Sequence, residues 1–280
     1  MSYLEGPTAR IAGGCTDSET KLVSWIHCKL DSQSEAAIGF RSFEEARLTY
    51  NKFDRMIFVS DWVRDYFCKT FDYKGKTQVL YNTIETGEVY KKSLEAVDDV
   101  DFDTDCISLC SVGKIAGVKA FDRIAEIHKR LCDEGIKNKV YIMGDGPCKS
   151  EIENYLRQNG LEETFVFLGY KLNPYKYVSK CDIYICSSLS EGFSTSVTEA
   201  VIVGTPVVTT RCSGMEEILG KNNEYGIITD NNTDALYEGV RLLIDFPDKL
   251  KYYQQKARER AAFFSKENTV KAVEEMLLSL

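Results

Sequence analysis

One stretch, Ser187-Ser-Leu-Ser-Glu-Gly-Phe-Ser-Thr-Ser-Val-Thr-Glu-Ala-Val-Ile-Val-Gly-Thr-Pro206, follows an apolar run and leads into a helical pattern. Gly192, Phe193 and Ser194 would then present backbone N–H groups at a helix amino end, where orphan donors and the helix dipole bind anions, phosphate above all. Glu191 stands just before that helix, and Glu199 about one and a half turns inside it. Two carboxylates do not suit a phosphate alone. They suit hydroxyl groups on either side of one, because carboxylates accept hydrogen bonds from sugar hydroxyls well.

A second segment is Ser111-Val-Gly-Lys114-Ile-Ala-Gly-Val-Lys119-Ala-Phe-Asp-Arg123. Its glycines permit close backbone approach, and Lys114 and Lys119 flank the turn into the next helix. Lysines there make point-charge contacts with a diphosphate. His27, in Ser24-Trp-Ile-His-Cys28, closes a short apolar run and on its own reads as a satisfied polar residue. His128 falls on a helical pattern with no accompanying motif and reads as structural.

These segments need a scaffold that gathers loops at one edge. From Asp105 onward short apolar runs alternate with amphipathic ones: strands are expected at Cys106–Val112, Lys139–Met143, Thr164–Leu168, Asp182–Cys186, Pro206–Thr209 and Gly226–Thr229. Between them, Phe121, Ile124, Ala125, Ile127, His128 and Leu131 recur at helical spacing. This is the pattern of βαβ units on a parallel sheet, with ligands bound beyond the carboxyl ends of the strands. The front of the chain follows the same grammar, with strands at Leu22–Ile26, Met56–Val59 and Gln78–Tyr81 and helices near Ser34–Asn51 and Ser60–Phe71. Glu95 to Asp105 carries six carboxylates and no base, which predicts a solvated linker. The expected divisions are a partial unit over 1–90, a linker over 91–105, a ligand-binding Rossmann-like unit over 106–265 and a closing helix over 266–280.

The 35 basic and 43 acidic residues give a net charge of −8, which argues against a nucleic-acid binder. No apolar run is long enough for a transmembrane helix, and the first ten residues do not read as a signal peptide, so the cytoplasm is the expected location. Ten cysteines without a Cys-x-x-Cys read as reduced packing residues. Gly144-Asp-Gly146-Pro-Cys-Lys149 lacks the third glycine of a dinucleotide fingerprint, which disfavours a Rossmann oxidoreductase. Asp101-x-Asp103-x-Asp105 lies in the acidic stretch, away from these loops, so no metal ligand set is expected.

Taken together, the ordered motifs resemble the retaining glycosyltransferases of family 4. They are the Glu-x7-Glu spacing of Glu191 and Glu199, Ser111-Val-Gly-Lys114 with Lys119, Met143-Gly-Asp-Gly-Pro147, Phe167-Leu-Gly169, Gly204-Thr-Pro-Val207 and Gly214-Met-Glu-Glu217. The resemblance implies a GT-B fold of Rossmann-type parallel sheets, with a complete carboxyl-terminal donor domain and a partial amino-terminal, acceptor-side domain. It implies a hexosyltransferase that moves sugar from a UDP- or GDP-sugar to a glycan, lipid-linked or small-molecule hydroxyl acceptor, in glycan or exopolysaccharide biosynthesis. The reaction would retain configuration and need no metal or other cofactor, and the enzyme would be cytoplasmic or peripheral at the inner membrane face.

By the same resemblance Lys114 and Lys119 hold the donor diphosphate, and the backbone of Gly192, Phe193 and Ser194 completes the phosphate cradle. Glu199 holds the ribose, Glu191 lies beside the donor sugar, and His27 assists charge stabilisation at the leaving group. Lys114 stands where the family usually has arginine, so bidentate phosphate contact is lost there. Family members usually carry a longer front, including a glycine-rich loop, so the first 90 residues are expected either to pair with a second copy or with a polypeptide that completes the domain, or to be more mobile than the unit beginning near Asp105. The alternative is a catalytically silent nucleotide-sugar binding subunit. Lys119→Ala should weaken nucleoside diphosphate binding while sparing the free nucleoside, as titration calorimetry would show; equal losses for both would make Lys119 structural.

Overall fold

A computed structural model describes residues 1–30 and 32–280, which form two compact units. Unit 1 comprises Met1–Thr83, Glu191–Phe193 and Lys266–Leu280; unit 2 comprises Ile84–Ser190 and Ser194–Ser265.

Unit 1 holds a parallel sheet of β1 (Val23–Ile26), β2 (Arg55–Phe58) and β3 (Thr77–Val79), in that order. Ser2 adds a parallel bridge at the outer side of β1, where Ser2 N donates to Val23 O and Trp25 N to Ser2 O, both at 2.8 Å. The core is aromatic: Tyr50 meets Phe67 and Phe71 edge-on at ring-centroid distances of 5.0 and 5.1 Å. The Asp61–Phe71 helix buries Val63, Phe67 and Phe71 on one face and is capped by Ser60, whose Oγ accepts from Val63 N. The helix expected over Ser34–Asn51 is two helices, Gln33–Ala36 and Phe43–Tyr50. They are separated at Gly39, which has φ 86° and lies so close to Pro7 that a Cβ would stand 2.5 Å from the Pro7 nitrogen. A fresh cap follows at Ser42, which accepts from Glu45 N. The closing helix, Lys266–Leu278, belongs to this unit: Met276 is buried, and Arg55 Nη1 donates to Ser279 Oγ at 2.7 Å.

Unit 2 carries β4 (Ile107–Val112), β5 (Asn138–Met143), β6 (Phe165–Gly169), β7 (Ile183–Cys186), β8 (Val207–Thr210) and β9 (Ile227–Thr229). All are parallel, in the order β6-β5-β4-β7-β8-β9. Leu109, Val140, Ile142, Ile183, Ile185 and Val208 pack against Ile124, Ile127 and Leu131 of the Phe121–Asp133 helix and Leu236 and Val240 of the Thr233–Asp245 helix. Burial on both faces explains why these strands read as unbroken apolar runs. The acidic stretch, residues 95–105, has neither helix nor strand, and its six carboxylates are solvent-exposed. Unit 2 begins at Ile84 and includes it, with Asp99 accepting from Lys171 Nζ at 2.6 Å and from Tyr177 Oη at 2.8 Å.

All ten cysteines are thiols rather than disulfides. Among the described residues no helix is long and apolar enough to cross a membrane. His128 is fully buried at the amino ends of β5 and β6, with Nδ1 at 2.6 Å from Asn138 Oδ1 and Nε2 at 2.9 Å from Thr164 Oγ1. Because the Asn138 amide donates to Ile136 O, its oxygen accepts, and His128 is the Nδ1–H tautomer. Burial holds its pKa below the ordinary 6.5. The unfolded chain therefore binds a proton that the folded one refuses, and stability falls as pH drops below 6.5. Urea unfolding between pH 7.5 and 5 should show this loss, at most about 1.4 kcal/mol per pH unit for one proton. His128→Gln should flatten it relative to the natural chain; an unchanged slope would remove His128 as its source.

Candidate functional site

The strand order of unit 2 reverses between β4 and β7: the chain builds outward through β5 and β6, then returns to β7 on the other side of β4. The loops leaving these two neighbours diverge and open a crevice at their carboxyl ends, the usual ligand position in such sheets. Lys114 and Lys119 lie on the loop after β4, the first exposed and the second half-buried. The loop after β7 holds this segment through main chain: Ser187 Oγ donates to Lys119 O and Leu189 N to Val118 O, both at 2.8 Å. Arg123 Nη1 donates to Asn231 Oδ1 at 2.7 Å, and the Asn231 amide donates to Leu189 O at 3.1 Å. On its other flank the β4 loop joins the β5 loop, with Gly113 N donating to Met143 O and Ile115 N to Asp145 O. Both lysines are thus carried on backbone fixed from two sides.

Beyond the β7 loop, Ser194 occupies the cap position of the Thr195–Ile202 helix, but its side chain does not cap; Thr198 Oγ1 donates back to Ser194 O at 3.0 Å. Glu199 is half-buried in this helix, and its Oε1 accepts from Tyr175 Oη at 3.0 Å. Burial pushes the Glu199 carboxyl above the usual carboxylate range, partly opposed by the Tyr175 bond; burial, and then the Glu199 charge, push the Tyr175 phenol up to about 12. Lys114, Lys119, Ser194 and Glu199 therefore all belong to unit 2, on elements leaving the carboxyl ends of β4 and β7.

His27, Glu191, Gly192 and Phe193 fall in unit 1. Gly192 lies against the end of β1: a Cβ there would stand 1.9 Å from His27 O, so no other residue fits without moving the backbone. Ser60 Oγ donates to Gly192 O at 3.3 Å, and the Phe193 ring stacks on Tyr81 with centroids 5.2 Å apart. His27 N donates to Glu5 Oε2 at 2.9 Å, and its ring lies 4.8 Å from that of Tyr3. Among the described residues the buried His27 Nε2 atom has no hydrogen-bond partner, and burial lowers the imidazole pKa against the opposing pull of Glu5. Among the described residues no group of three or more His, Cys, Asp or Glu is placed to hold a metal.

The family model for glycosyl transferases group 1 matches residues 95–260. The chain belongs to this family. A curated relative is the Campylobacter jejuni N-acetylgalactosamine-N,N'-diacetylbacillosaminyl-diphospho-undecaprenol 4-alpha-N-acetylgalactosaminyltransferase, 30% identical over 193 residues, or 68% of this chain and 50% of that protein. The Mycobacterium tuberculosis GDP-mannose-dependent alpha-(1-6)-phosphatidylinositol dimannoside mannosyltransferase is 25% identical over 231 residues, 82% of this chain and 58% of its own. The chain thus spans about half the length of the curated relatives it matches. Among solved structures, Anabaena HepE in complex with UDP superposes with a TM-score of 0.78 at 18% identity, covering 93% of this chain and 72% of that one. Sucrose-phosphate synthase of Thermosynechococcus elongatus gives 0.74 at 15% identity, over 92% and 67%. The α/β architecture with parallel sheets is that of GT-B glycosyltransferases, as the motifs implied.

Several residues that build this candidate site carried no signal in the motifs: Ser187, Leu189, Asn231 and Tyr175 act through long-range hydrogen bonds. A ribose hydroxyl donates more strongly to Glu199 when the carboxyl is ionised. Nucleoside diphosphate affinity should therefore fall as pH drops through its raised pKa, earlier than for an ordinary glutamate. Glu199→Ala should cost on the order of 1.5–3 kcal/mol of binding and abolish that acid limb. Calorimetric titration from pH 8 to 5 tests both, and an unchanged dissociation constant in a folded variant would remove Glu199 from the site.

Proposed function

We propose that the chain is a hexosyltransferase moving a sugar from a UDP- or GDP-sugar to a hydroxyl acceptor, with unit 2 as its donor-binding half. The observation that carries this is the tie between the β4 and β7 loops at the strand-order reversal, Ser187 Oγ to Lys119 O at 2.8 Å, with Glu199 on the helix that follows. The relatives named for GDP-mannose and diphospho-undecaprenol substrates, and the neighbour bound to UDP, support a nucleotide-sugar donor and a glycan or lipid-linked acceptor. Glu199 accepts from the ribose, Lys114 and Lys119 face the diphosphate, and the backbone of Gly192, Phe193 and Ser194 donates to it. As the glycosidic bond breaks, negative charge gathers on the departing diphosphate, and fixed cations and N–H donors stabilise it without reorganising. His27, whose Nε2 has no hydrogen-bond partner among the described residues, donates toward the leaving group, and Glu191 contacts the donor sugar. No carboxylate here is assigned as a covalent nucleophile, so the reading is same-face attack with retention, metal-independent, rather than a two-carboxylate displacement. The enzyme works in the cytoplasm, peripheral to the inner membrane face when its acceptor is lipid-linked.

One observation favours a second reading, a nucleotide-sugar binding subunit that needs a second copy or a partner polypeptide. Beside β1 in unit 1 lies an open groove of about 720 Å³ lined by Met1, Tyr3, Ile11 and Ala12, with Ile11 79% exposed. Such a surface associates. Incubating the purified chain with UDP- and GDP-sugars, alone and with the products of neighbouring genes, separates the readings. Turnover by the chain alone is expected. Donor binding with turnover only in the presence of a second polypeptide would establish the subunit, and absence of donor binding would overturn both.

A further inference from the structure

Tyr175 sits outside every motif, yet its hydroxyl is bonded to the carboxylate assigned to the ribose. The ring opens the short Tyr175–Val178 helix and packs against a small apolar cluster of Ile84, Val89 and Ile202, together with Val203 and Ala261. Its far end reaches Glu199 Oε1 at 3.0 Å. A phenol can donate only one hydrogen, and this one is given to Oε1. The ring is fixed by packing that involves Ile202 and Val203, at the carboxyl end of the very helix that carries Glu199. Carboxylate and phenol are therefore held by one piece of structure, and the Glu199 side chain, otherwise free to turn about its own bonds, has one oxygen pinned.

We propose that Tyr175 is a positioning residue for nucleotide discrimination: by occupying Oε1 of Glu199 it leaves Oε2 as the acceptor for a ribose hydroxyl, and so sets the preference for ribonucleotides over deoxy analogues. The inference rests on the assignment of Glu199 to the ribose. A buried acceptor aimed at a hydroxyl rejects the analogue lacking that hydroxyl because the acceptor is then left unpaired. A carboxylate free to rotate would recover other partners, and the discrimination would shrink.

The test is calorimetric binding of UDP and GDP, each against its 2′-deoxy and 3′-deoxy counterparts, to the natural chain, Tyr175→Phe, Glu199→Ala and the double variant. Phenylalanine keeps the ring packing, and a thermal melt confirms that each variant is folded. The natural chain should prefer one ribonucleotide over at least one deoxy analogue. Tyr175→Phe should weaken that ribonucleotide by roughly five- to tenfold while leaving the deoxy analogue nearly unchanged, so the preference narrows. Glu199→Ala should abolish the preference, and adding Tyr175→Phe to it should cost nothing more, because the two side chains act as one unit. If Glu199→Ala removes the preference but Tyr175→Phe does not, or if the two losses add, the positioning role falls and the ribose assignment stands. If Glu199→Ala leaves the preference intact, the ribose assignment itself fails and takes the role of Tyr175 with it.

Discussion

The candidate site depends on a single topological fact, the reversal of strand order between the parallel neighbours β4 and β7. Everywhere else in unit 2 neighbouring loops run the same way around the sheet and crowd one another; at this junction they part. A gap between two loops leaves their backbone groups short of partners unless something bridges them. Here the bridge is Ser187 to Lys119 O and Leu189 N to Val118 O. The backbone that carries the two lysines of the β4 loop is held by these main-chain contacts.

In unit 1 the governing contact is steric. Gly192 meets the carbonyl of His27 at a distance that admits no side chain, and Ser60, already capping the helix after β2, also reaches the Gly192 carbonyl. One serine hydroxyl therefore serves two ends, accepting from the helix it starts and donating to a segment far along the chain. The ends of β1 and β2 and the Glu191–Phe193 segment are locked in mutual register by backbone atoms, which tolerate little variation in sequence.

Much of this was legible because buried parallel strands are written as continuous apolar runs. Among the described residues the nine strands fall where they are expected, with ends differing by a residue or two, where fraying and cap geometry decide; β3, Thr77–Val79, is neither fully buried nor an apolar run. The Glu191–Glu199 spacing and the two lysines marked the loops around the reversal, though not the reversal itself, since sheet order is a long-range property. What escaped had distant causes. The ties of the exposed acidic stretch to unit 2 had no local signal, since Asp99 is met by Lys171 and Tyr177 from far along the chain. The helix expected across Gly39 failed for a similar reason, since the crowding there comes from Pro7. Tyr175 was invisible because a tyrosine among Pro174 and Lys176 spells nothing until Glu199 is placed opposite it.

The membership of the Lys266–Leu278 helix in unit 1 has a consequence for the order of assembly. Unit 1 gathers its first 83 residues, a three-residue visit at 191–193 and the last fifteen, with nearly all of unit 2 in between. Closing so long a loop in an unstructured chain is entropically costly, and contacts between its ends reward that cost only once the intervening chain has been compacted. Unit 2, by contrast, is nearly contiguous and has its own extended core. During synthesis, residues of unit 1 that precede unit 2 wait for those that follow it: Arg55 finds Ser279, and Met276 its buried place, only after the whole sheet of unit 2 has emerged. Unit 1 is completed only once unit 2 has been made.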